Sequence, residues 1–403
     1  MSLHCADSME LLDDLEEESV HAVVTDPPYG LAFMGKTWDD FEPIEYQEWC
    51  EKWATKALRV TKPGGHMIAF SGNRTHHRLF AGVEDAGWEI RDTITWHYGS
   101  GFPKALDVAK SIDKRKGVDR TVVGTKTIDV GMQGGSMHAG RSSKNVEVDE
   151  TTATSPEAIR WEGWKSALKP ATEYVVLARK PFNQTIAENM IEHGTGALNI
   201  DGCRVGSDKL EYTVTNQREG HVGGDNTRQS EPVQAEGRYP ANVAFDETQA
   251  EELDRQVGEL GVSKGGGDGN ATEIYGTDVS DNRGAHDGSV GKGDSGGPSR
   301  YFYTSKASRS ERTHNGKVEN PHPTVKPLDL MKWLITLVTA EGQTVLDPFA
   351  GSGTTLIAAE LLKREWIGVD QSEDYIDIIN DRMENLQEME GYDEYRVNGI
   401  MEW

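Results

Sequence analysis

The segment VVTDPPYG, residues 23–30, places a carboxylate, two prolines and an aromatic ring directly after a β-branched run. Proline fixes the backbone and has no N–H group, so the carbonyls of this turn stay free to accept hydrogen bonds. Asp26, the Pro27 carbonyl and the Tyr29 ring therefore form a rigid set of two acceptors and one aromatic face at the tip of a strand, and Pro28 stiffens it. Taken alone, the pattern also fits a plain strand followed by a proline-rich turn.

A second chemical motif lies near the other end of the chain, in QTVLDPFAGSGTTLIAAELLKREWIGVDQSEDY. A strand ends on Asp347, the backbone turns through Gly351 and Gly353, and a helix begins at Thr354. Asp370 closes the next strand and follows Asp347 by 23 residues, close to the roughly 20 residues that separate a glycine loop from a ribose-binding acid. Glycines allow a ligand to approach the backbone, and the acid can accept both ribose hydroxyls.

The glycine loop departs from the G-x-G-x-x-G pattern, because Ser-Gly-Thr-Thr stands where the third glycine would lie. That disfavours a dinucleotide, whose pyrophosphate needs the closest approach to the backbone. The loop instead suits a ligand that has an adenosine and no phosphate.

Both motifs need strands to hold them, and apolar periodicity predicts an α/β chain. Strands are predicted at 18–26, 66–70, 94–96 and within TEYVVLARK, residues 172–180, and a helix is predicted at 44–60. Two stretches, 105–170 and 205–298, have little periodicity and the Gly, Ser and Asp content of mobile loops.

The bulk composition excludes several classes of protein. A chain of 403 residues with a formal charge of −25 and three cysteines has no C-x-x-C pair, which argues against disulfides and zinc. His76 and His77 also have no Cys or His partners at metal spacing, so no metal is predicted. With no basic leader and no long apolar run, we expect a soluble cytoplasmic protein and no membrane contact. The excess of acidic residues is also compatible with a host that lives in high salt.

Cations are concentrated in two segments, 104–126 and 300–317, despite the negative total charge. This pattern suits a basic groove for nucleic acid within an acidic shell. A further lysine, Lys36, lies in the segment after Tyr29, which is predicted either to close over the site or to form a plain surface loop. The predicted DNA contacts are Lys36, Lys104, Lys110, Lys114, Arg115, Lys116, Lys306, Arg309 and Arg312.

With these motifs in place, the chain resembles the amino-group DNA methyltransferases that use S-adenosylmethionine. The matching elements are D-P-P-Y at 26–29, the D-P-F-x-G-S-G-T turn at 347–354, and HPTVKP at 322–327. The base-handling motif precedes the cofactor loop, as in the circularly permuted β class. The likeness covers residues 1 to about 104, 171–182 and 300 to about 389, and it implies a doubly wound, Rossmann-like methyltransferase sheet with an inserted target-recognition region.

The resemblance also implies roles for individual residues. The Asp26 carboxylate and the Pro27 carbonyl would hold the hydrogens of a flipped base's exocyclic amine, and the Tyr29 ring would stack on the base. Asp7 would meet the cofactor's adenine amine or cap a helix, the two roles being compatible. Lys326 would neutralise the cofactor's methionine carboxylate or stand exposed. The implied cofactor-binding set is Asp7, Lys326, Asp347, Phe349, Gly351, Ser352, Gly353, Thr354 and Asp370.

The predicted activity is site-specific methylation of adenine N6 in double-stranded DNA. Asp rather than Ser at position 26 favours adenine over the alternative, cytosine N4. A non-catalytic regulator that binds S-adenosylmethionine or nucleic acid is disfavoured by the intact D-P-P-Y. The sequence leaves undecided whether the protein forms a homodimer, and whether it acts alone, in a virus or in a restriction-modification system.

The predicted organisation is a catalytic half at 1–104, a mobile basic insertion at 105–170, a core strand at 171–182, a target-recognition region at 183–299, a cofactor half at 300–390 and an acidic tail at 391–403.

Overall fold

The computed structural model describes most of the chain, with gaps that fall mainly in the glycine-rich stretches. The described residues are 1–31, 41–99, 101, 105–129, 145–212, 233–260, 296–305 and 325–388. The strands are β1 Ser2–Cys5, β2 Val20–Thr25, β3 Thr61–Ser71, β4 Glu89–His97, β5 Thr121–Asp129, β6 Asn145–Thr152, β7 Thr172–Arg179, β8 Val205–Tyr212, β9 Val233–Arg238, β10 Val243–Asp246, β11 Tyr303–Ser305, β12 Thr344–Asp347 and β13 Glu365–Asp370. The α-helices are α1 Ser8–Asp14, α2 Pro43–Val60, α3 His76–Asp85, α4 Val108–Lys116, α5 Pro156–Arg160, α6 Ile186–His193, α7 Glu247–Val257, α8 Leu328–Val338, α9 Thr354–Leu361 and α10 Glu373–Gln387.

Nine of the strands form one sheet in the order β1-β13-β12-β2-β3-β7-β4-β10-β11. Only β7 runs antiparallel to its neighbours among these pairs. The α/β chain predicted from the periodicity and the doubly wound sheet implied by the resemblance are confirmed. Because β12, β13, β1 and β2 are mutually parallel, the residues that follow their carboxyl ends meet at one edge, where ligands bind in such sheets.

The order of the strands along the chain is permuted relative to their order in the sheet. The glycine-loop strands β12 and β13 come last in sequence, yet β1 pairs with β13, Cys5 lying opposite Asp370. On the other side β2 pairs with β12, Val23 lying opposite Leu346. The opening segment of the chain therefore completes the glycine-loop side of the sheet, in keeping with the permuted order of the motifs.

The core lies on both faces of the sheet, because successive side chains of a strand point in opposite directions. In β2, Ala22 and Val24 pack into a cluster with helices α8 and α9, which contains Leu334. Val23 instead packs with helix α2, against Trp53. Helices on both faces hold the central strands rigidly, and this rigidity positions the turns at the strand ends.

The two stretches without periodicity contain more regular structure than the sequence predicted. In the first, α4, α5 and the β5–β6 hairpin enclose a small cluster of Ala109, Ala153 and Ala158. In the second, β10 joins the main sheet beside β4. Small side chains and polar contacts hold these elements together, so they leave little apolar periodicity. Much of the glycine-rich sequence lies outside the described residues, at 130–144, 213–232 and 261–295, and its mobility stays a prediction.

Two kinds of feature are absent from the described part of the chain. None of its helices combines the length and the apolar character that crossing a bilayer requires. Nor do its His, Cys, Asp and Glu side chains form a group that could hold a metal ion.

Candidate active site

The D-P-P-Y turn begins where β2 ends, and a neighbouring helix holds it in place. The Tyr46 hydroxyl, from α2, donates to the Pro28 carbonyl over 2.8 Å. Gly30 follows with a φ of +63°, and a Cβ there would lie 2.7 Å from the Tyr46 ring, so only glycine fits. The buried Pro27 has a carbonyl that accepts no hydrogen bond from the described residues. Among the described residues, this carbonyl is thus an unoccupied acceptor beside the Asp26 carboxylate.

Asp26 belongs to a cluster of four polar side chains that come from three distant parts of the chain. The Tyr29 hydroxyl lies 2.8 Å from Asp26 Oδ1 and 3.1 Å from Glu173 Oε2. The Lys326 ammonium pairs with Asp26 Oδ2 and lies 3.4 Å from Glu173 Oε2. It also lies 3.2 Å from the Tyr29 hydroxyl. Two carboxylates thus share one ammonium and one hydroxyl.

Burial and neighbouring charges shift the proton affinities of this cluster. Burial raises the pKa of Glu173; the Lys326 charge opposes the rise and the Asp26 charge adds to it. Burial, followed by the charges of Asp26 and Glu173, raises the pKa of Tyr29 well above its ordinary value. Burial lowers the pKa of Lys326, but the two carboxylates outweigh it and the net shift is upward. Lys326 is therefore a charged ammonium and Tyr29 a neutral phenol.

The glycine loop is tied to the same edge of the sheet by two acids. Buried Asp347 accepts from the Thr25 hydroxyl over 2.6 Å and from the Phe349 N–H over 3.1 Å. Burial raises the pKa of Asp347 to about 6. The hydrogen bond to Thr25, the last residue of β2, joins the glycine loop to the strand that carries Asp26. The two motifs, far apart in sequence, therefore form one site.

Asp370 holds the other side of the loop, one oxygen accepting from the Gly351 N–H and the other from the Ser372 N–H, each over 2.9 Å. Gly351 and Gly353 have φ values of +53° and +79°. A Cβ on Gly353 would lie 2.7 Å from the Ile379 side chain. Both glycines are thus required by the backbone conformation, and Gly353 also by the closeness of α10.

The opening segment lies against this loop. Asp7 caps α1, its carboxylate accepting from the Met9 N–H over 2.7 Å. The Ala6 N–H donates to the Asp370 carbonyl over 3.2 Å, and the Ser8 hydroxyl donates to the Pro348 carbonyl. The capping role predicted for Asp7 is present, and the residue stands at the edge where the glycine loop turns.

Lys326 and Glu173 are where the structure departs most from the sequence analysis. The Lys326 side chain is 7% exposed and paired with two carboxylates, so the exposed alternative is wrong, whereas its contact with the cofactor's methionine carboxylate stays a prediction. Glu173 was missed entirely, because TEYVVLARK indicated only an apolar strand. The one available signal was an acid at the start of a strand that is otherwise buried, where an unpaired carboxylate would be costly.

The predicted DNA contacts divide into two groups. Lys110, Lys114, Arg115 and Lys116 are exposed on α4, and Lys116 forms an ion pair with Glu157. The others lie outside the described residues: Lys36, Lys104, Lys306, Arg309 and Arg312.

Comparison with known proteins places this geometry in a family. Residues 20–381 match the family model described as DNA methylase, which covers N6 and N4 amino methylation. The chain belongs to this family. The methylase is 23% identical over 419 residues to the type II methyltransferase M.HindIII of Haemophilus influenzae, with 94% of each chain covered. It is 34% identical over 104 residues to M.HpaI of Haemophilus parainfluenzae, covering 25% of this chain and 33% of that one.

Two solved structures of DNA methyltransferases also match the chain over most of its length. The cytosine-N4-specific PvuII DNA methyltransferase matches with a TM-score of 0.46 at 15% identity, covering 99% of this chain and 93% of that one. The complex of M1.HpyAVI with S-adenosylmethionine matches with a TM-score of 0.39 at 15% identity, covering 95% and 98%.

Members of the family use S-adenosylmethionine as methyl donor, and the glycine loop of this methylase fits such a ligand. Gly351 and Gly353 leave the backbone open to close approach, and Asp370 and Asp7 stand where the neighbouring strands β13 and β1 end. No phosphate-binding third glycine is present in the loop. The site therefore suits an adenosine that carries no phosphate, as in this cofactor.

Proposed function

We propose that this DNA methylase methylates the N6 amine of adenine, flipped from a specific double-stranded sequence. The observation that carries the proposal is the Asp26 carboxylate at the end of β2 beside the Pro27 carbonyl, which accepts no hydrogen bond from the described residues. An exocyclic amine is a weak nucleophile, because its lone pair is delocalised into the ring. Two acceptors on its hydrogens favour the rehybridised amine and the positive charge that develops during attack.

The proposed division of labour follows the two halves of the site. Asp26 and Pro27 hold the amine, and Pro28 keeps the turn stiff. The Tyr29 ring stacks on the base; Trp96 and Tyr98, whose ring centroids are 5.1 Å apart, offer further aromatic surface at the end of β4. When bound, S-adenosylmethionine supplies the methyl group as a sulfonium electrophile. Its proposed contacts are Asp7, Asp347, Phe349, Gly351, Ser352, Gly353, Thr354 and Asp370.

Adenine is preferred to cytosine because position 26 is Asp. Incubating the enzyme with S-adenosylmethionine and long unmethylated duplex DNA, then digesting the DNA to nucleosides, should yield N6-methyldeoxyadenosine by mass spectrometry. N4-methyldeoxycytidine as the product would support the alternative. If neither forms while the enzyme binds the cofactor, the chain acts as the non-catalytic regulator. A reaction without S-adenosylmethionine is the control.

For DNA contact we propose the exposed face of α4. Lys110, Lys114 and Arg115 have no ion-pair partner among the described residues, although the chain carries a formal charge of −25. Cations left without acids in an acidic protein are available to phosphates. Trp161 and Trp164, with ring centroids 5.0 Å apart, lie in the same insertion.

Replacing Lys110, Lys114 and Arg115 together with alanine should weaken DNA binding by about tenfold at moderate salt. The slope of log affinity against log salt should fall by about 3, because three phosphates would no longer be neutralised by these side chains. Fluorescence anisotropy with labelled duplex measures both. Lys52→Ala, at an exposed position on α2, is the control and should change neither. An unchanged salt slope in the triple variant would place the DNA elsewhere.

A further inference from the structure

One hydroxyl stands between two carboxylates in the active site. The Tyr29 oxygen lies 2.8 Å from Asp26 Oδ1 and 3.1 Å from Glu173 Oε2. A phenol has a single proton, so Tyr29 can donate fully to only one carboxylate at a time. A hydroxyl in this position can accept a proton from one side and give its own proton to the other.

The charge of the cluster favours uptake of one proton. Asp26 and Glu173, when both ionised, carry two negative charges, and Lys326 carries one positive charge. The Lys326 ammonium contacts both carboxylates and the Tyr29 hydroxyl, so it fixes their positions and stabilises negative charge on the phenol oxygen during transfer. One negative charge is left without a partner in the cluster, in a mostly buried setting where it is costly. One added proton makes the cluster neutral.

We infer that Glu173 is the final acceptor of the proton that the target amine loses, and that this proton arrives from Asp26 through the Tyr29 hydroxyl. The inference rests on the proposed function in requiring an exocyclic amine as substrate. It holds equally for adenine N6 and cytosine N4, because both amines must lose one proton.

The step balances in atoms and charge. The amine nitrogen forms a bond to the methyl carbon, whose bond to the donor sulfur breaks with its electron pair left on sulfur. The nitrogen then gives one proton to Asp26 Oδ1. Tyr29 takes a proton from Asp26 and gives its own to Glu173 Oε2, so Asp26 and Tyr29 regain their starting states. Glu173, whose side chain is 18% exposed, releases the proton to solvent.

The proton affinities run in the direction that this path needs. Burial raises the pKa of Glu173, so a proton that reaches it is held more firmly than on an ordinary glutamate. Lys326 and Asp26 face Glu173 from outside its strand, and Tyr98 approaches it from β4. Burial and the Glu173 charge raise the pKa of Tyr98 to about 12, so this phenol stays neutral and does not compete.

Glu173→Gln separates proton acceptance from positioning, because the amide oxygen still accepts from Lys326 and Tyr29 but cannot take up a proton. We expect its single-turnover methylation rate to fall about 100-fold, the lower end of the typical size of acid–base contributions. Cofactor affinity, measured by calorimetry, should stay within about twofold. The wild-type rate should fall as acid protonates Glu173 in advance, and the variant should lose the part of the acid limb that Glu173 contributes.

Tyr29→Phe removes the bridge and should slow the reaction similarly, and the double variant should be no slower than the slower single variant. Tyr174→Phe is the matched control: this neighbouring residue stacks on His76 and should behave as wild type. A Glu173→Gln rate within twofold of wild type would overturn the relay. A double variant whose losses multiply would do the same.

A measurement on the free enzyme makes the test independent of turnover. With glutamate labelled at its carboxyl carbon, the ¹³C resonance absent from Glu173→Gln identifies Glu173, and its titration midpoint should lie above the ordinary value of about 4.3. A midpoint at or below that value contradicts the inference. If the wild type methylates neither base, the proposed function fails, whereas the titration still reports on Glu173.

Discussion

Asp26→Ala is expected to abolish methyl transfer, lowering the single-turnover rate by about 10³-fold or more, while the affinity for S-adenosylmethionine stays within about threefold. The variant loses an acceptor that matters most when positive charge develops on the amine, and one such group is typically worth about 10²- to 10³-fold. It also removes the first proton acceptor, which adds to the loss. Methyl transfer to duplex DNA and calorimetry with the cofactor measure the two effects separately.

The structure sharpens the choice of variants for this test. Alanine leaves Lys326 with Glu173 as its remaining carboxylate partner in the cluster, so some rearrangement is expected. Asp26→Asn keeps the size and one acceptor oxygen but loses the charge, and it should also be severely impaired. Asp381→Ala, at an exposed position on α10, is the control. Equal loss of cofactor affinity and rate in both Asp26 variants would contradict the division between the amine and cofactor halves.

Gly351→Val should show the opposite pattern to Asp26→Ala. The affinity for S-adenosylmethionine should fall first, by about 100-fold or more. The φ of +53° at Gly351 is in the left-handed region, where a β-branched residue is a severe outlier. The loop would therefore shift, and the valine side chain would occupy space that the glycine leaves open to a ligand. It would also disturb the Gly351 N–H that donates to Asp370. Calorimetric titration of each variant with the cofactor measures the change.

Gly342→Val is the matched control for this variant. Gly342 has a φ of +77°, and a Cβ there would meet nothing within 4 Å. It therefore suffers similar backbone strain in a turn outside the glycine loop. Both variants should lose thermal stability, but only Gly351→Val should lose cofactor affinity. Comparable affinity losses in the two would mean that the effect is general destabilisation, and the loop would then not be the cofactor site.

The two motifs and their supporting strands could be predicted because they are encoded locally. Two consecutive prolines after a β-branched run impose a stiff turn wherever the strand ends, and a glycine at a positive φ indicates a turn that other residues resist. Helix α2 was predicted at 44–60 and observed at Pro43–Val60, since its apolar residues recur at helical spacing and pack on the sheet. The same rule of periodicity failed for α4 and the β5–β6 hairpin, whose small core consists mainly of alanines.

The sequence by itself determined which groups stand at the strand ends: Asp26 with its free neighbouring carbonyl, and the glycine loop between Asp347 and Asp370. Only the tertiary structure decided that Glu173 and Lys326 join Asp26. Glu173 is 144 residues from Tyr29 in the sequence, and Lys326 is 300 residues from Asp26. The physical reason is that a charged side chain on an apolar strand is costly to bury until partners arrive from elsewhere in the chain. No local pattern encodes those partners, because their meeting depends on the order of the strands in the sheet.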